Sequence, residues 1–152
     1  MTTIDGIASV SARAFTRSCS VGIRIDAPPE RIWQLLTDAD GFPGWNSTVR
    51  SITGRIAPGE RLQIRVPYSE RTFKVRVSRF EPSHSMIWSD GTAPFFTGVR
   101  TYTLTPAGGG TNFAMTEVLS GLMLPLVGRS LPDFKPVFER YASDLVAAAE
   151  RS

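Results

Sequence analysis

The sequence has a single cysteine, Cys19, and a single histidine, His84. One cysteine excludes an internal disulfide, which fits a reducing, cytoplasmic compartment. One cysteine and one histidine cannot assemble a Cys/His metal site, so no metal is expected. His84 falls in the turn-like Pro82-Ser83-His84-Ser85 and is expected to be exposed. That speaks against a Ser-His-Asp or Cys-His arrangement, which needs the imidazole against a nucleophile. Long apolar runs are missing too. The most apolar stretch, 119–127, is interrupted by Gly121 and Pro125. It falls well short of the ~18–20 residues of a membrane span. No charged region followed by an apolar one opens the chain, so no secretory leader is expected.

Lysine is scarce. Lys74 and Lys135 are the only two, and arginine supplies the rest of the 17 basic residues. Arg50, Arg55, Arg61, Arg65, Arg71, Arg76 and Arg79 are scattered and alternate with apolar residues. They are expected to cover the outer face of a sheet. A nucleic-acid surface would need a contiguous basic stripe with interleaved aromatics, so no nucleic-acid partner is expected.

What remains is the material of one globular domain. The chain has 152 residues, 41% hydrophobic and 20% charged, too apolar for disorder. A domain of this size buries roughly 68–70% of its unfolded surface, enough for a core and a cavity.

Residues 1–16 have weak periodicity and read as a loosely ordered lead-in, followed by a single domain over 17–152. Val21, Ile23 and Ile25 alternate with polar residues as a half-buried strand. A helix follows, with Asp26 as a candidate N-cap and prolines in its first turn. Gly41-Phe42-Pro43-Gly44-Trp45-Asn46 reads as a turn or second short helix. Strands are then expected over 49–56, 61–67, 72–80, 84–89, 95–105 and 111–119. Turn-like residues separate them, which implies an antiparallel meander. The last segment changes to a helical period. Phe134, Val137, Phe138, Tyr141, Leu145, Val146 and Ala149 share one stripe, with Asp133 as N-cap. A helix over 134–150 would be about 25 Å long, enough to cross a small sheet. A shorter helical piece is expected over 122–130, with a bend at Leu131-Pro132.

The last hairpin fixes a register. Pairing Leu104 with Phe113 leaves a four-residue loop, 107–110, and puts Tyr102 opposite Met115 and Arg100 opposite Glu117. An Arg100–Glu117 pair on the cavity wall is expected, since a one-residue slip would send one partner to the other face. It would either brace the sheet or anchor a ligand's polar end. Gly108-Gly109-Gly110 is a hairpin turn rather than a phosphate cradle, because strands flank it on both sides.

These residues resemble a known superfamily. The run from Ile25 through Pro28-Pro29-Glu30-Arg31-Ile32-Trp33 is similar to its first strand and helix. Phe42-Pro43-Gly44-Trp45 looks like its second helix, and Trp88 follows a Glu-Pro-Ser-His turn as in that family. Arg100-Thr101-Tyr102-Thr103-Leu104 and Glu117-Val118-Leu119-Ser120-Gly121 resemble its final hairpin. The superfamily is the START-like, polyketide cyclase/dehydrase and lipid-transport (SRPBCC, helix-grip) group, and the resemblance covers about 18–150. It implies an α+β fold, with a curved antiparallel sheet of about six or seven strands wrapped around a long C-terminal helix. It also implies a hydrophobic cavity beneath that helix. Its members include carriers, receptors and cyclases, so fold does not settle function.

Candidate cavity residues follow from the pattern. The aromatics are Trp45, Phe73, Trp88, Phe95 and Phe96, then Tyr102, Phe113, Phe134, Phe138 and Tyr141. Met115, Arg100 and Glu117 join them on the hairpin. The expected partner is a small hydrophobic molecule, lipid-like or polyketide-like, held as by a carrier or sensor. A homodimer is left open, and no cofactor is expected. The alternative is a cofactor-independent cyclase or dehydratase, with Glu117 and Tyr102 as its acid/base candidates. Arg100 opposite Glu117 favours the charged carboxylate, which argues against Glu117 as a base in the free protein. A protein-binding module is disfavoured because no large apolar stretch reads as exposed.

Overall fold

Alternating apolar and polar residues through the middle of the chain become the strands of one antiparallel sheet. The computed structural model describes residues 4–128, 131 and 133–151. In chain order the elements begin β1 (Ser9–Ala12), β2 (Thr16–Ile25), α1 (Pro29–Thr37), α2 (Phe42–Trp45), β3 (Ser51–Thr53) and β4 (Arg61–Val66). They continue β5 (Ser69–Glu81), β6 (Ser85–Thr92), β7 (Phe96–Ala107), β8 (Gly110–Ser120), α3 (Leu124–Val127) and α4 (Phe134–Ala149). The eight strands lie in the order β1-β2-β8-β7-β6-β5-β4-β3.

Eight strands exceed the six or seven expected, and the extra one is β1. It lies inside the segment read as loosely ordered. All four of its residues are exposed, so no apolar alternation marks it. Distant partners hold this segment instead. The Gly6 amide donates to the Gly22 carbonyl at 2.8 Å. On α4, Glu139 Oε2 accepts the Ala8 amide at 3.0 Å, and Lys135 Nζ donates to the Ala8 carbonyl at 3.1 Å.

Three local expectations change. Helix α1 starts at Pro29 with Pro28 at its cap and no side-chain cap. Paired prolines disfavour helical backbone at the residues before them, so Asp26 stands too early to cap. Its carboxylate accepts from Arg24 Nε at 3.2 Å instead. The strand expected over 49–56 shrinks to Ser51–Thr53, because Gly54 turns the chain at φ +115°, with the Arg61 carbonyl oxygen 2.7 Å from where a Cβ would sit. The β7–β8 loop tightens from four residues to Gly108-Gly109, both at positive φ, with Ala107 paired to Gly110. That turn geometry demands glycine-like residues and suits the twist of the strands. Of the piece expected over 122–130, the helix covers Leu124–Val127. Ser130 and the Pro132 bend lie outside the described residues.

Asp133 caps α4 as expected, accepting the Lys135 amide at 3.1 Å. Register shifts bend the sheet, one between Ile64 and Val66 in β4 and one between Ser78 and Glu81 in β5. Helix α4 lies in the resulting trough. Its second half is studded with Ala142, Ala148 and Ala149, all buried, which let it approach β2 and α1 closely. Leu145 and Phe138 are fully buried. Each contributes roughly 1.5–3 kcal/mol by leaving water. The first half of α4 carries bulkier residues over the β4–β7 side, where a gap remains.

Candidate functional site

That gap is a cavity of about 610 Å³, within the ~300–1,000 Å³ of small-molecule sites. Strands β4 to β8 contribute alternate residues to its floor, as the two-residue period of a strand requires, with Ile64 and Val66 from β4. The others are Arg71, Phe73 and Val75 from β5, Trp88 and Asp90 from β6, Phe96, Gly98, Arg100 and Tyr102 from β7, and Glu117 and Leu119 from β8. Phe134, Val137, Phe138 and Tyr141 of α4 form the roof. Phe42, Thr48 and Val49 contribute from one side, and Met123, Val127 and Leu131 from another. A recess of about 280 Å³, lined by Ser47 and Arg140 among others, adjoins at Thr48, Tyr68 and Val137.

Arg100 pairs with Glu117 across β7 and β8, in the predicted register. Its Nε donates to Glu117 Oε1 at 2.8 Å, while the side chains stay 19% and 17% exposed. The pair is thus shielded but reachable from the cavity. The Arg100 guanidinium also stands 5.1 Å from the Phe138 ring centroid, so α4 closes over it by a cation–π contact. Burial is the largest influence and opposes its charge, but Glu117 together with Tyr102, Tyr141 and Tyr68 outweighs it, so Arg100 holds its proton more tightly than usual.

Tyr141 donates its hydroxyl to that of Tyr102 at 3.4 Å. Burial pushes both phenols above their ordinary range, so both remain protonated donors. Tyr68, from the β4–β5 turn, is likewise raised by burial. Asp90 is raised by burial first and by the Glu117 charge second, with Arg71, the Gly98 amide and Arg100 acting the other way. The cavity wall therefore carries two cations, Arg71 and Arg100, and two carboxyls, Asp90 and Glu117.

The structure brings nine of the expected residues to the cavity: Phe73, Trp88, Phe96, Arg100, Tyr102, Glu117, Phe134, Phe138 and Tyr141. Four do not reach it. Phe113 and Met115 share the right face of β8, but both are fully buried in the core. Phe113 stacks on Tyr141 at 6.5 Å. Trp45 wedges between Phe42 and Tyr141, with ring separations of 4.9 and 5.9 Å. Phe95 is exposed in the loop before β7.

Among the polar residues, Asp90 and Arg71 were missed. Asp90 reads as a turn residue because Gly91 follows it, yet Met86, Trp88 and Asp90 obey one alternation. Arg71 reads as outer-face, yet it shares the concave face with Phe73 and Val75, its guanidinium 5.4 Å from the Phe73 ring. Phe15, Phe95, Leu122 and Met123 are exposed on neighbouring loops, and Leu126 on α3 beside them. Backbone bonds tie these loops together, from the Gly121 amide to Phe15 and from Leu122 and Met123 to Pro94 and Phe95. The sequence had indicated no such apolar surface.

A curved sheet gripping a C-terminal helix over a cavity defines a helix-grip protein. The chain belongs to the polyketide cyclase / dehydrase and lipid transport family, whose profile matches residues 15–150. It is similar in structure to the di-domain ARO/CYC BexL of the BE-7585A biosynthetic pathway, at 16% identity and a TM-score of 0.72, covering 92% of this chain and 52% of that one. The di-domain ARO/CYC StfQ of the steffimycin pathway matches at 12% identity and a TM-score of 0.65, covering 91% and 50%. Protein MLL2253 from Mesorhizobium loti matches at 25% identity and a TM-score of 0.67, covering 90% and 98%. The chain spans about half the length of the two di-domain proteins. No curated protein sequence matches it significantly. Among the described residues, no helix is long and apolar enough to cross a membrane.

Proposed function

We propose that the chain binds one small hydrophobic molecule, polyketide-like or lipid-like, in the cavity beneath α4, as a carrier or sensor. One observation carries this reading: a largely apolar cavity of about 610 Å³ whose charged groups all come from the neighbouring strands β5 to β8. Apolar walls supply affinity and a few polar groups fix orientation. Arg100 is the orienting group. Its Nε bonds Glu117 and it also bonds the Tyr102 hydroxyl, which leaves others of a guanidinium's five N–H donors for a ligand. Family membership and the ARO/CYC neighbours support a cavity of this kind. The test is native mass spectrometry of the freshly purified chain, with an adduct of a few hundred daltons expected. An apo mass throughout, together with failure to take up any apolar probe, would contradict it.

A second reading, a cofactor-independent cyclase or dehydratase, is favoured by the two carboxyls in unlike surroundings on one wall. Asp90 is inclined to hold a proton, and Glu117 sits against Arg100. Two carboxyls in unlike surroundings suit paired acid and base roles. Tyr102 would serve as a neutral donor. Turnover of an aromatic polyketide or related ketone, abolished by Glu117→Gln, would favour this reading. Tight ligand retention with no turnover across such a panel would favour the carrier.

A further inference from the structure

Resting on the binding reading, we propose that Asp90, seated across Gly98, makes the cavity selective for an uncharged, oxygen-bearing ligand and against the matching carboxylate. The geometry begins with Gly98. It pairs with Asp90 on β6 and with Leu119 on β8. A Cβ on residue 98 would come within 2.7 Å of Asp90 Oδ1 and 3.2 Å of Leu119 Cδ2. The missing side chain is thus the space into which the Asp90 carboxyl leans. Two residues along β7, on the same face, stands Arg100, about 7 Å away at strand spacing.

Four charged groups face this wall: Arg71 from β5, Asp90 from β6, Arg100 from β7 and Glu117 from β8. Arg100 is already bonded to Glu117. Arg71 makes no ion pair among the described residues and lies in the field of Asp90. An entering carboxylate would meet two carboxyls and one shielded cation, Arg100, already bonded to Glu117, while Arg71 is exposed to solvent and lies in the field of Asp90. It would lose its hydration without gaining an unpaired counter-charge inside the cavity, which is costly in a shielded site. A ketone or hydroxyl oxygen loses far less and can accept from the unspent N–H groups of Arg100. The raised proton affinity of Asp90 agrees with this: burial first and the Glu117 charge second disfavour negative charge at this point of the wall.

The test uses the full chain and a neutral probe, N-phenyl-1-naphthylamine, displaced at pH 8 by a matched pair, 2-acetylnaphthalene and 2-naphthoate. The wild type is expected to prefer the ketone by tenfold or more. Asp90→Asn should free Arg71 and cut that preference several-fold by improving naphthoate. Gly98→Ala should shift it the same way, because its Cβ displaces the carboxyl. Arg71→Gln should widen it. Thermal melts confirm that each variant is folded. Equal or tighter naphthoate binding by the wild type would overturn the inference, as would a preference unmoved in folded Asp90→Asn and Arg71→Gln. In those cases probe binding itself leaves the cavity reading standing. Loss of all probe binding in the wild type would remove both.

Discussion

Arg100 Nε and Glu117 Oε1 stand 2.8 Å apart on neighbouring strands, in a row that runs from Trp88 through both residues to Cys19. The pair sits where the sheet meets the cavity, so it can brace the wall while leaving donors for a ligand. A shielded pair is weak evidence for stability, but removing one partner strands the other. Arg100→Ala or Glu117→Ala alone should destabilise by about 2–3 kcal/mol, below the ~3–5 of fully buried pairs. Replacing both by Met and Leu should cost less than the sum. Urea denaturation of the double-mutant cycle checks this.

Asp90 gives a pH dependence of defined sign. Its folded-state proton affinity is raised, so the native chain holds that proton more tightly than the unfolded one. The stabilisation is full below the unfolded value of about 3.9 and is lost as pH rises through the raised folded value. Asp90→Asn should therefore be more stable than wild type near pH 8, and the difference should shrink towards pH 4. Denaturation midpoints across that range are the measurement.

Glu139 behaves oppositely. The Ala8 amide and Lys135 hold its carboxyl below the usual range. That support is present above the unfolded value and lost as pH falls through the lowered folded one. Glu139→Gln should speed amide exchange at Ala8 and along β1 while leaving exchange in β7 and β8 unchanged.

Cys19 is buried, and its thiol is pushed up to about 11 from 9.0, chiefly by burial. Only the thiolate is reactive. A thiol reagent at pH 8 should leave the folded chain unlabelled and react fully in denaturant. Prompt native labelling would contradict the placement of β2 against β8.

Much of this was legible in the sequence, for local reasons. The Arg100–Glu117 register follows from period-two alternation on two strands joined by a glycine turn, and α4 from a helical stripe with Asp133 at its cap. Strand β1 was not legible, because its order comes from Gly22 and from Glu139 and Lys135, far away in the chain. Asp90 was hidden by the turn signal of Gly91, although its alternation with Trp88 marked it. Phe113 and Met115 show the limit of alternation. It identifies the concave face but not which part of that face is closed into the core.

The central claim is a ligand-sized cavity beneath α4, and filling it tests that most directly. Phe138 is fully buried in its roof. Titration of N-phenyl-1-naphthylamine into wild type should give one saturable, blue-shifted site. Phe138→Trp, folded by its melting curve, should weaken that site at least tenfold. Unchanged probe affinity in the folded Phe138→Trp variant would contradict binding beneath α4.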